Sequence, residues 1–129
     1  MCSKKISIIL VADSDGSNFT AIKNALSSSL LVVRASGVED AFKKVLKFDP
    51  DFLVADICLK DSNGFELIKK VRRVKKYKPK IIILSKLGNP KIKNDTNFLS
   101  TLGISLFLVK STHSVNKIIS LISKEVNFY

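Results

Sequence analysis

The stretch that decides the fold is Asp51-Phe-Leu-Val-Ala-Asp56-Ile-Cys-Leu-Lys-Asp-Ser-Asn-Gly64-Phe-Glu-Leu67. Its apolar run, Phe52 to Ala55, ends abruptly in an acid, Asp56. Asn63-Gly64 then breaks the chain before an amphipathic helical pattern begins. A continuous apolar run this short fits a strand buried on both faces, as in a parallel sheet. Open α/β sheets place their chemistry at the carboxyl ends of such strands. Asp56 is therefore the candidate reactive residue.

The same alternation runs outward in both directions. Ile6 to Ala12 reads as a first strand, closed by Asp13-Ser-Asp-Gly-Ser-Asn18, and Phe19, Ile22, Ala25 and Leu26 follow at helical spacing until Ser27-Ser-Ser29. Leu30 to Val33 reads as a second strand. Val38, Ala41, Phe42, Val45 and Leu46 then form a helical face that stops before Pro50. Beyond the opening stretch, Phe65, Ile68 and Val71 share one helix face, and Ile81 to Leu84 reads as a fourth strand ending at Ser85. A short helix is expected over Asn97 to Leu102, with Gly103 just past its end. Ile104 to Val109 forms a fifth strand ending at Lys110, and a last helix runs from Ser114 to about Val126. Five β-α units predict an α/β fold: a flavodoxin-like, doubly wound, five-stranded parallel sheet in the order 2-1-3-4-5 with five helices.

The 129 residues suit one domain, and 46% hydrophobic with 26% charged residues is ordinary for a globular chain. The net charge of +11 is not ordinary. It fits an acidic protein partner, an anionic membrane surface or weak, non-specific contact with nucleic acid, but the preferred reading is a lysine-rich solvated surface. Eight of the charges fall in the twelve residues from Lys69 to Lys80. The preferred reading there is a solvated helix face. Two cysteines, Cys2 and Cys58, make neither a disulfide framework nor a zinc spacing, so a reducing, cytoplasmic setting is expected. Ile6 to Ala12 is too short to span a membrane and lacks a cleavage site behind it, so no membrane role is expected.

Parallel strands end on one edge, about 4.8 Å apart. That edge gathers Asp13 with Ser14 and Asp15 from strand one, Asp56 from strand three, Ser85 from strand four and Lys110 from strand five. Two carboxylates so close repel unless a cation lies between them, and hard oxygen ligands with room for water suit Mg²⁺. A carboxylate nucleophile, a metal, a lysine and a hydroxyl are the parts needed to make a phosphoryl-aspartate.

Residues 5 to about 126 resemble the receiver domain of bacterial two-component response regulators, the CheY-like family. Asp49-Pro-Asp-Phe-Leu-Val-Ala-Asp56 and Asn63-Gly64-Phe-Glu-Leu67 carry the likeness most specifically. The resemblance implies that Asp56 is the phosphoacceptor, Ser85 the conformational hydroxyl, Phe107 the switch aromatic and Lys110 the phosphoryl contact. It implies a Mg²⁺ site at Asp13, Asp56 and the backbone carbonyl of Cys58, with Ser14 or Asp15 as a further ligand. It also implies a sensor histidine kinase or phosphotransfer protein as donor. The downstream protein target, acidic or a flagellar motor switch, would be bound through the fourth helix, fifth strand and fifth helix. Residues 1–129 are expected to be a single receiver domain without an output domain, and not an enzyme beyond acceptance and loss of its own phosphoryl group.

Four positions depart from the family pattern. Ser14 stands where a second acid is usual, Lys60 and Ser111 where proline is usual, and Lys86 where a small residue is common. Ser14 and Lys86 motivate an alternative, a degenerate pseudo-receiver that binds a protein partner without phosphorylation. A further alternative is a haloacid-dehalogenase-type Mg²⁺-dependent phosphatase built on Asp13-Ser-Asp15-Gly-Ser17, but after Lys110 the chain offers only Glu125 as an acid.

Overall fold

The computed structural model describes residues 7–28, 30–76, 78–85, 103–109 and 115–127. Five strands, β1 (Ile8–Ala12), β2 (Leu31–Ala35), β3 (Phe52–Asp56), β4 (Lys80–Ser85) and β5 (Ile104–Val109), form one sheet in the order β2-β1-β3-β4-β5, and every pairing is parallel. Four helices are described: α1 (Ser17–Leu26), α2 (Val38–Phe48), α3 (Gly64–Val74) and α4 (Val115–Asn127). The flavodoxin-like order is as expected. The helix expected over Asn97 to Leu102 lies outside the described residues, so four helices stand where five were expected.

The alternation of side chains along the strands explains the double winding. On β3, Leu53 and Ala55 face a core that includes Val45 of α2 and Ile68 of α3, whereas Phe52 and Val54 face one that includes Ile22 of α1 and Ile122 of α4. All four of these β3 side chains are fully buried. A strand buried on both faces can carry no polar side chain until it leaves the sheet, which is why the first acid after Phe52 is Asp56 at its end.

One boundary moved. The expected second strand began at Leu30, but Leu30 N–H donates to Leu26 O, and the strand starts at Leu31, whose N–H donates to Ser7 O. Leu30 thus closes the end of α1, and the strand runs on to Ala35. At the other end of the sheet, buried Asp51 ties β1 to the start of β3: its Oδ2 accepts Ile8 N–H at 2.9 Å, and its main-chain N–H donates to Ile8 O at 2.9 Å. Asp51 therefore lies at the edge opposite Asp56.

Candidate phosphoryl site

Register brings the acids together. Ala12 of β1 pairs with Ala55 of β3, so Asp13 and Asp56 follow at matching positions on neighbouring strands. On the other side Asp56 pairs with Leu84, and Ile57 N–H continues the ladder to Leu84 O at 3.0 Å. Ser85 is the next residue on β4, buried, in register with Val109 of β5. Phe107 pairs with Ile83 and is half-buried against the α2–α3 side of the core. Lys110 follows Val109 but lies outside the described residues, as do Lys86 and Ser111.

Glycine 64 sets the floor of the site. A Cβ there would lie 2.5 Å from the carbonyl oxygen of Asp56, and the Gly64 N–H donates to Ile57 O at 2.8 Å. Only a residue without a side chain lets α3 begin this close to the strand end. Asn63 caps that helix, its side chain accepting the Glu66 N–H at 3.0 Å.

The acids after β1 do more than border the site. Gly16 occupies the N-cap of α1 in a left-handed conformation (φ 82) and has no side chain to offer the helix. The first amides of α1 are satisfied from elsewhere. Asp15 Oδ1 accepts Ser17 N–H at 2.9 Å, and buried Asp13 Oδ2 accepts Asn18 N–H at 2.7 Å and Phe19 N–H at 3.1 Å. Negative charge at a helix N-terminus is favourable in its own right. Asp15 Oδ1 also accepts the Ser17 hydroxyl at 2.8 Å, so this exposed side chain serves the first turn of α1. Among the described residues no three His, Cys, Asp or Glu side chains converge.

Two of the departures from the family pattern turn out to be partners. The Lys60 N–H donates to Ser14 Oγ at 2.8 Å, joining the loop after β1 to the loop after β3. A proline at 60 has no N–H to give. Arg34 of β2 holds the same loop from beneath, its Nη2 donating to Asp13 O at 3.0 Å and to Ser14 O at 2.8 Å. Cys58 is exposed, its backbone bridged to that of Asn63. Asp61, further along, reaches across to cap α2, accepting Val38 N–H at 2.7 Å and Glu39 N–H at 3.2 Å. These two backbone hydrogen bonds, the Val38 one first, hold the Asp61 carboxyl below its ordinary range.

Two groups around Asp13 and Asp56 escaped the sequence reading. Arg34, which holds the Asp13 and Ser14 carbonyls, carried no signal beyond being a charge just past the expected second strand. Asn18, whose Nδ2 donates to Asp56 Oδ2 at 3.1 Å, was legible only as the last residue of the polar cluster after the first strand.

The basic cluster is largely spent on structure. Lys69 pairs with Glu66, Lys70 with Glu39, Lys75 with Asp49, Lys78 with Asp49 and Asp51, and Lys80 with Glu125. Arg72 donates to the carbonyls of Lys75, Pro79 and Gly103. Among the described residues only Arg73 and Lys76 of the eight are exposed without such a role. The solvated, structural reading of this cluster is the one these contacts favour.

The model of a family described as "Response regulator receiver domain" matches residues 9–123. The alkaline phosphatase synthesis transcriptional regulatory protein PhoP of Bacillus subtilis is 32% identical over 99 residues, which cover 76% of this chain and 38% of that protein. The chain thus spans under two-fifths of that relative's length. Among solved structures, a CheY-like receiver domain protein from Methanospirillum hungatei superposes with a TM-score of 0.79 at 18% identity, covering 95% of each chain. The chemotaxis regulator CheY4 of Vibrio cholerae gives 0.76 at 21% identity, covering 93% of this chain and 98% of that one. The structural likenesses establish the fold, and the family match over most of the length establishes more: this chain belongs to the response regulator receiver domain family.

Proposed function

We propose that this receiver accepts a phosphoryl group on Asp56 and converts it, through Ser85 and Phe107, into a changed protein-binding surface. The observation that carries the reading is the strand-end register: Asp56 stands beside Asp13 on one neighbouring strand and one step from the buried Ser85 on the other. Receiver domains work with histidine kinases and downstream targets, so the donor is read as the phosphohistidine of a kinase or phosphotransfer protein. In the transfer an Asp56 carboxylate oxygen forms the new bond to phosphorus. The P–N bond to the histidine breaks, and the departing imidazole nitrogen keeps its electron pair.

Receiver domains typically bind Mg²⁺ at an acidic pocket. The donor set here fits a hard cation that keeps several waters: Asp13 and Asp56 supply two carboxylates, and the Cys58 carbonyl is the third group by resemblance. Ser14 Oγ accepts the Lys60 N–H and Asp15 Oδ1 accepts from Ser17, and either would be a further ligand by resemblance through a remaining lone pair. When bound, Mg²⁺ would neutralise charge on the phosphoryl oxygens. Lys110 is assigned the same task from its place after β5.

The Ser85 hydroxyl would donate to a phosphoryl oxygen on Asp56, moving away from the space beside β5. Half-buried Phe107 could then turn inward, two residues before the end of β5. Such a step is a shift between two populated states, biased by the new hydrogen bond. Output is assigned to the surface around β5 and α4. With a net charge of +11 an acidic protein target is favoured, a motor switch being one form of it. Incubation with acetyl phosphate and Mg²⁺ should give a hydroxylamine-labile phosphoryl label that Asp56→Asn loses. An unlabelled wild-type protein, or equal labelling of the variant, would sink the proposal.

A further inference from the structure

One residue touches both acids of the site. The main-chain N–H of Asn18 donates to Asp13 Oδ2 at 2.7 Å, and its side-chain Nδ2 donates to Asp56 Oδ2 at 3.1 Å. The neighbouring Phe19 N–H, on the same Asp13 oxygen, fixes the direction from which Asn18 enters. Asn18 is half-buried in the first turn of α1, between the two strand ends.

Two carboxylates on adjacent strand ends repel each other unless donors or a cation intervene. Asn18 supplies one such donor to each of them. An oxygen that accepts the amide of Asn18 offers a cation one lone pair fewer, so amide and metal compete for the same Asp56 atom. We propose that Asn18 is a positioning residue that bridges Asp13 and Asp56 without metal and must be displaced for a divalent cation to bind. Asn18 thereby sets the affinity of the site and couples metal binding to the first turn of α1. The inference rests on reading Asp13 and Asp56 as the cation's carboxylates.

The test is direct binding of Mn²⁺ alone to the full chain, by calorimetry and by electron paramagnetic resonance, with no phosphoryl donor present. Asn18→Leu removes the amide at similar volume, and Asn18→Ala removes it with a small cavity. Both should bind Mn²⁺ roughly ten- to a hundredfold more tightly than wild type, the scale of one hydrogen bond to a charged group. Asn18→Asp, which adds a carboxylate, should bind more tightly still. In an Asp56→Asn background the gain from removing the amide should vanish, because the atom competed for is gone. A merely structural Asn18 would lower the melting temperature of both amide-free variants and leave their Mn²⁺ affinity unchanged or weaker. That outcome overturns the proposal, as does undetectable Mn²⁺ binding in every variant. Should the affinities shift as stated while acetyl phosphate fails to label Asp56, the phosphoacceptor reading falls and this one stands. Labelling with flat Mn²⁺ affinities gives the reverse.

Discussion

Substituting Gly64 by alanine would press a methyl group against the main chain of the residue assigned the chemistry. In a free helix start this change is mildly favourable, by roughly 0.4–1 kcal/mol, because it restricts the unfolded chain. Here the added Cβ would sit 2.5 Å from Asp56 O and 3.2 Å from Asp56 C. The first distance is roughly 1 Å short of ordinary contact, and the neighbour is backbone that cannot swing aside. Either α3 retreats or the Asp56–Ile57 peptide tilts. The first stretches the Gly64 N–H bond to Ile57 O, and the second strains the Ile57 N–H bond to Leu84 O. Overpacking of this kind costs about 1–3 kcal/mol, and a weakened hydrogen bond adds about 1. Net of the entropic gain, Gly64→Ala should destabilise by about 1–3 kcal/mol. For a domain of this size that lowers the melting midpoint by roughly 4–12 °C in a circular-dichroism melt. Folded at low temperature, the variant should also label more slowly from acetyl phosphate, because the movement is transmitted to Asp56 itself. An unchanged or raised midpoint would refute the reasoning that the close approach is rigid.

The carboxylates of Asp40, Asp49 and Asp61 are shifted in the same direction. Asp40 is held below 3.8 chiefly by the Ser36 N–H, Asp49 chiefly by the Lys75 side chain, and Asp61 chiefly by the Val38 N–H. A folded pKa below the unfolded one stabilises fully above the unfolded value, and the contribution is lost as pH falls through the folded value. Denaturant midpoints should therefore fall steadily as pH drops below about 4, and Asp61→Asn should flatten part of that fall; an unaltered pH slope would contradict its capping role. Arg72→Lys should lose most of what Arg72→Ala loses, about 1–3 kcal/mol by denaturant titration, since one ammonium cannot span three carbonyls from a fixed stem. Full rescue by lysine would show that charge alone matters. DNA affinity through this cluster should fall with salt with a log–log slope no steeper than about −2, the value for two phosphate contacts from Arg73 and Lys76; a slope of about −6 would mean the five paired lysines also engage.

Strand order was readable because burial on both faces leaves a signature that periodicity cannot hide: apolar runs such as Phe52 to Ala55, each stopped by a polar residue. The acid at position 56 was readable for the same reason. Less visible was the double duty of Asp13 and Asp15. Glycine at the N-cap of α1 leaves amides that must find acceptors, and the two acids just upstream are the nearest. A Gly16 N-cap was thus a signal that Asp15 would serve the first turn of the helix. The tie between Ser14 and Lys60 could not be read from either residue alone, since one gives a hydroxyl and the other only its backbone. The pairing of the basic cluster was hidden for a related reason. Its acids, such as Glu39 and Asp49, lie 31 and 26 residues from the lysines they meet, and only the packing of α2 against α3 and the start of β4 brings them close.

The central claim concerns one atom group, the carboxylate of Asp56, and a chemical trap addresses it directly. Borohydride reduces an acyl phosphate at aspartate to homoserine, which peptide mass spectrometry locates by residue. Treated after phosphoryl transfer in Mg²⁺, this protein should yield homoserine at position 56 and nowhere else. Homoserine at Asp13 or Asp15, or none at position 56 while the label is present, would contradict the account.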